Sequence, residues 1–189
     1  MSFHEIEAQF STNRLGGEPV PPDLRLLLKH RDELRERTGI IVDWSAIWAP
    51  WLDTSYLTPA DFAKPDIRAN VRAMTEVCRL AAFVAADEDG NYFGYWRGAA
   101  QLPINQALPL WLDNEGQFDL CGTSNIAGAL LAYSCSGWFD ECHQWFQELG
   151  ITSLPSNQYD LGDPDIHPTP HEVHDELFHK YLAEESGQA

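Results

Sequence analysis

A chain of 189 residues with 44% hydrophobic and 12% aromatic side chains has the length of one domain and ample material for a packed core, which excludes a wholly disordered protein. Its formal net charge of -17 opposes binding to nucleic-acid phosphates or anionic membrane, and no apolar run approaches the roughly 18 residues that a membrane span needs. The charge is lopsided: residues 1–97 carry 15 acids and 11 bases, whereas residues 98–189 carry 14 acids and a single base, Lys180.

Residues 1–20 are polar and close on the turn-rich LGGEPVPP, which reads as an N-terminal lead-in without the basic start and apolar run of a secretory signal. Leu24, Leu27, Leu28 and Leu34 then follow helical spacing up to Gly39. Trp44, Trp48 and Trp51 recur on one stripe that Pro50 limits to a short helix or an irregular aromatic loop. Such a stripe is a sugar-stacking platform or, more commonly, core packing. From Pro65 a clearer helix places Ile67, Val71, Met74 and Cys78 on one face. Arg68, Arg72 and Arg79 lie on its other faces, as a solvated flank or as partners for nearby carboxylates.

The period then changes from helix to strand. LAAFVAA and YFGYW read as strands around the turn DEDGN, whose Asp, Gly and Asn supply left-handed conformations. LWLD and QFDLC form a second hairpin around Asn114-Glu115-Gly116. In it Phe118 and Leu120 alternate with Asp119, as expected of a sheet with one wet face. Ser124 is placed to cap a short helix, NIAGALLAY. Trp138, Cys142, Trp145, Phe146 and Leu149 make a helical stripe before Gly150. Thr169, Pro170 and Glu172 give a final helix its N-cap, first residue and capping-box acid. The order predicts an α+β fold: a small antiparallel sheet built from hairpins, flanked by N-terminal and C-terminal helices. Residues 21–189 then form a single domain, with 137–189 a helical C-terminal extension.

Candidate chemistry is sparse. His167, His171, His174 and His179 crowd the last helix, and His171, Asp175 and His179 share a flank that makes them weak candidates for a divalent metal. An H-E-x-x-H site is excluded, because Asp175 stands where its second histidine belongs. The acid pairs Asp87-Glu88-Asp89 and Asp113 with Glu115 fall in turns, where solvation or contact with a basic partner is expected before acid–base catalysis. Cys142 and His143 are adjacent, so their side chains diverge on a helix. The four cysteines, Cys78, Cys121, Cys135 and Cys142, lack a C-x-x-C pair and fit reduced thiols in the cytoplasm. No catalytic residue and no cofactor is expected.

Four segments in order, PPDLRLLL, AADEDGNYFGYWRG, LPLWLDNEG and SNIAGALLAY, resemble the SUKH superfamily of cell-wall assembly regulators and bacterial immunity proteins. The resemblance covers Pro21 to Tyr133. The tryptophan-rich stretch between Gly39 and Pro59 departs from it, as does the absence of an Asn-Gly pair after the first helix. It implies an α+β fold, no catalytic residues, and a non-catalytic, immunity-type module that neutralises a toxin, frequently a nuclease. Such a toxin is basic, and an acidic inhibitor gains both occlusion and electrostatic steering. The expected contacts are Asp87, Glu88, Asp89, Asp113 and Glu115. The alternative is a regulatory or scaffolding module that binds a cell-wall or signalling protein.

Overall fold

A computed structural model describes residues 1–159 and 161–187. Among these residues the chain forms eight α-helices and one four-stranded antiparallel sheet, an α+β arrangement. Strands β1 (Ala81–Ala86), β2 (Tyr92–Trp96), β3 (Leu108–Leu112) and β4 (Phe118–Leu120) lie in the order β1-β2-β3-β4, a simple meander. Gly94 at the centre of β2 pairs with Phe83 on one side and Leu110 on the other. A bulge interrupts the register between Phe83 and Ala85. Outside β1, Ile41 exchanges backbone hydrogen bonds with Ala86 at 2.7 and 3.0 Å.

Adjacent residues of a strand point to opposite faces, and here both faces are covered. On one face Ala82, Val84, Phe93 and Tyr95 meet helices α1 (Phe3–Arg14), α2 (Pro22–Lys29), α3 (Arg31–Thr38), α6 (Ile126–Tyr133) and α7 (Phe139–Glu148). On the other, Phe83, Trp96, Leu110, Leu112, Phe118 and Leu120 meet α5 (Pro65–Arg79) and α8 (Pro170–Glu185). The remaining helix, α4, is the single turn Pro59–Phe62. The expectation of one wet face therefore holds only at Asp119, which is exposed on the edge strand. α6 is apolar all round and almost wholly buried, as befits a helix surrounded by others.

The polar N-terminal stretch read as a lead-in is the helix α1. Ser2 and Glu5 form a reciprocal capping box, and Ile6, Phe10 and Leu15 are buried in the core. Arg14, 9% exposed, donates from Nε to Asp43 O at 3.0 Å and from Nη2 to Ser45 O. Its guanidinium lies 4.8 Å from the Trp48 ring. Trp51 stacks on Phe83 at 4.7 Å, and Trp44 packs against the core. Packing thus accounts for the tryptophan stripe.

The C-terminal helices are equally integral. α7 buries Phe139, Trp145 and Phe146 on one side of the sheet, while Val173 and Leu177 of α8 pack on the other. α8 begins as its sequence predicts, with Thr169 as N-cap and Glu172 completing the box. Arg68 and Arg72 of α5 pair with Glu185 at 2.7 and 3.0 Å, and Arg72 also reaches Glu184 at 2.7 Å. At α6 the cap is Asn125, one residue later than Ser124: its Oδ1 accepts from Gly128 N at 2.8 Å. The Ser124 hydroxyl instead donates to Ser153 O.

Candidate partner-binding surface

The two hairpin turns follow one plan. Each opens with an aspartate and carries a left-handed glycine three residues later, Gly90 at φ 85° and Gly116 at φ 83°. Asp87 Oδ1 accepts the backbone N–H groups of Asp89 at 3.1 Å and Asn91 at 3.0 Å. Asp113 Oδ1 accepts those of Glu115 at 2.9 Å and Gln117 at 2.7 Å. Asp87 Oδ2 accepts further bonds from Asn91 Nδ2 and from the hydroxyl of Ser134, the C-cap of α6. These two carboxylates build the turns.

Because both turns leave the sheet at the same end, they meet. Asn114 N donates to Asn91 Oδ1 at 3.2 Å, and Asn114 Nδ2 donates to Asp89 O at 3.0 Å. The pair is latched through these bonds and tied to α6 through Ser134. Its outer carboxylates are Glu88, Asp89 and Glu115. All three are exposed, and none has a cation or hydrogen-bond donor for its carboxylate among the described residues. Glu88 leans over Gly39, where an added Cβ would sit 2.8 Å from Glu88 Cγ.

Two further acids extend this surface along the sheet edge. Asp119 is exposed on β4, and it shares a shallow depression of about 270 Å³ with Asp163. The alternation of Phe118, Asp119 and Leu120 was the signal for the first. Nothing local marks Asp163, which the Gly162 N to Gly122 O hydrogen bond brings to the edge.

The histidine cluster disperses. His171 Nε2 lies 3.5 Å from Asp175, but the His179 ring sits beside Phe178 and makes no ion pair with either. His174 turns inward and shares a hydrogen bond of 3.0 Å with Asn70 Oδ1. His167 pairs with Glu172 at 2.9 Å, which raises its pKa. Among the described residues no three His, Cys, Asp or Glu side chains converge as a metal site would require. The His143 ring stacks on Phe139, while the Cys142 thiol is engaged by Cys135, so the adjacent pair makes no nucleophile and base.

No described helix is long and apolar enough to cross a membrane. No family model, curated protein or solved structure matches this chain.

Proposed function

We propose that the chain is a non-catalytic, immunity-type protein that neutralises a basic toxin, such as a nuclease, by covering its cationic active surface. The observation that carries this reading is the latched double turn, which presents Glu88, Asp89 and Glu115 without internal partners. A surface that must bind phosphate is rich in lysine and arginine. Carboxylates held on a rigid support meet it with little ordering cost and attract it over a Debye length of about 8 Å at physiological salt. The segments that resemble the SUKH superfamily support the same reading. They form α2, the first hairpin, β3 with its turn, and α6, which together build the acidic end of the sheet and the layer behind it.

The test is co-expression with the product of the neighbouring gene. That product should be toxic alone and harmless beside this chain. Glu88→Gln, Asp89→Asn and Glu115→Gln combined should restore toxicity in a protein that still folds. A neighbour that is harmless alone, or that still kills in the presence of the native chain, would refute the reading.

A further inference from the structure

At the end of the sheet remote from the acidic turns lies an open cavity of about 880 Å³. Leu26, Ile104 and Ile151 contribute to its apolar wall, and Tyr95 of β2 lines it. Two carboxylates, Asp23 and Glu18, are among the lining side chains, which include no lysine, arginine or histidine. Glu18 is already matched: Arg97 Nη2 donates to it at 2.6 Å and Ile104 N at 2.8 Å. Among the described residues Asp23 has no basic partner. It is 9% exposed, its carboxylate receives backbone N–H groups, including that of Ala127 at 3.1 Å, and burial pushes its pKa up.

Tyr95 supplies a second, independent observation. The residue is 4% exposed, and its hydroxyl has no hydrogen-bond partner among the described residues. A buried hydroxyl left unmatched costs about 1–3 kcal/mol, so such groups are uncommon unless something binds them. Burial first, and then the charge of Asp23, hold the phenol above its ordinary pKa and therefore neutral. It remains able to accept a hydrogen bond.

We propose that this cavity binds a small organic cation, a protonated amine on an apolar body, with the ammonium held between the Tyr95 hydroxyl and the Asp23 carboxylate. The volume suits a drug-sized organic molecule, and an apolar wall with a few convergent polar groups is the usual form of such a site. The buried, cation-free carboxylate sets the sign of the charge: an ammonium is attracted to it, whereas an anion meets a like charge at close range. The tyrosine accepts one ammonium proton. This inference does not rest on the partner-binding reading, whose residues lie at the other end of the strands.

Three probes with one apolar body separate the outcomes: hexylammonium, hexanol and hexanoate. Each is titrated into the full-length protein in about 0.15 M salt to screen surface charge, and binding is followed by amide shifts at Ala127, Ile104 and Thr152. Hexylammonium should saturate these shifts, hexanol should bind more weakly, and hexanoate should leave them unchanged. Tyr95→Phe removes a hydroxyl without a partner, so the variant should fold as well as the native chain. It should bind hexylammonium about five- to tenfold more weakly. Combined Glu88→Gln, Asp89→Asn and Glu115→Gln should leave the affinity unchanged. Equal binding of hexanoate, indifference to Tyr95→Phe, loss of binding in the triple variant, or no saturable shift would each overturn the proposal.

Discussion

The Asp23 carboxylate on α2 accepts the backbone N–H of Ala127, 3.1 Å away, and so joins the first turn of α2 to the first turn of α6. The two contacts lie 104 residues apart in the chain, and both helices sit on the same face of the sheet. One negative charge therefore answers unpaired N–H groups at two helix starts. Asp23→Ala should destabilise the fold by about 1–2 kcal/mol, the range seen on removing a cap. Asp23→Asn, which keeps an acceptor, should lose less. Chemical denaturation of the two variants measures the difference.

His174 makes stability depend on pH. It is half-buried between α8 and α5, bonded to Asn70, with Asp175 and His171 as its charged neighbours. Burial holds its pKa below the ordinary value near 6.5. A base with a lowered pKa in the folded state contributes its stability above the unfolded value and loses it as pH falls through that value. The part of the melting temperature that His174 contributes should therefore shrink as the pH falls below the ordinary histidine value of about 6.5 that applies in the unfolded chain. His174→Gln should remove part of that loss.

Turn-building and outward-facing acids should separate cleanly. Asp113→Ala leaves two backbone N–H groups without their acceptor and should lower stability by about 1–2 kcal/mol. Glu115→Gln should leave the melting temperature essentially unchanged while it slows association with a basic partner and weakens the salt dependence of that rate. Melting curves and stopped-flow binding report the two effects.

Gly94 has no room for a side chain. A Cβ there would lie 2.5 Å from Ala82 O and 2.8 Å from Phe83 Cα, both backbone atoms of the adjacent strand. Gly94→Ala must push β1 and β2 apart and should cost about 1–3 kcal/mol. Loss of amide protection should centre on that pair of strands.

Much of this architecture is legible in the sequence, because its signals are local. The hairpin turns announce themselves through Asp, Gly and Asn, and α8 through Thr169, Pro170 and Glu172. α1 carries the same kind of signal, Ser2 with Glu5 ahead of Ile6 and Phe10, but its polar composition hides it. The covering of the sheet's second face was not legible, since it depends on α8 returning to α5 across more than a hundred residues. The latch between the turns is likewise tertiary: Asn114 gains its meaning only once β2 and β3 have paired. The cavity is less legible still. Its walls come from the loop before α2, the approach to β3, the start of α6 and the segment after α7, and no short motif spans them.

The repeated turn plan divides the positions at this end of the sheet into two classes. Positions 87, 90, 113 and 116 answer to the backbone, through carboxylates that close the turns and glycines with positive φ. The side chains at positions 88, 89 and 115 are exposed and take no part in those bonds, to which Asp89 and Glu115 contribute only their backbone. Sequence drift at the outward positions leaves the scaffold intact and is felt only by whatever meets it. The hairpin pair is thus a mount with exchangeable tips, whose charge and shape can change from one descendant to the next while the fold stays fixed.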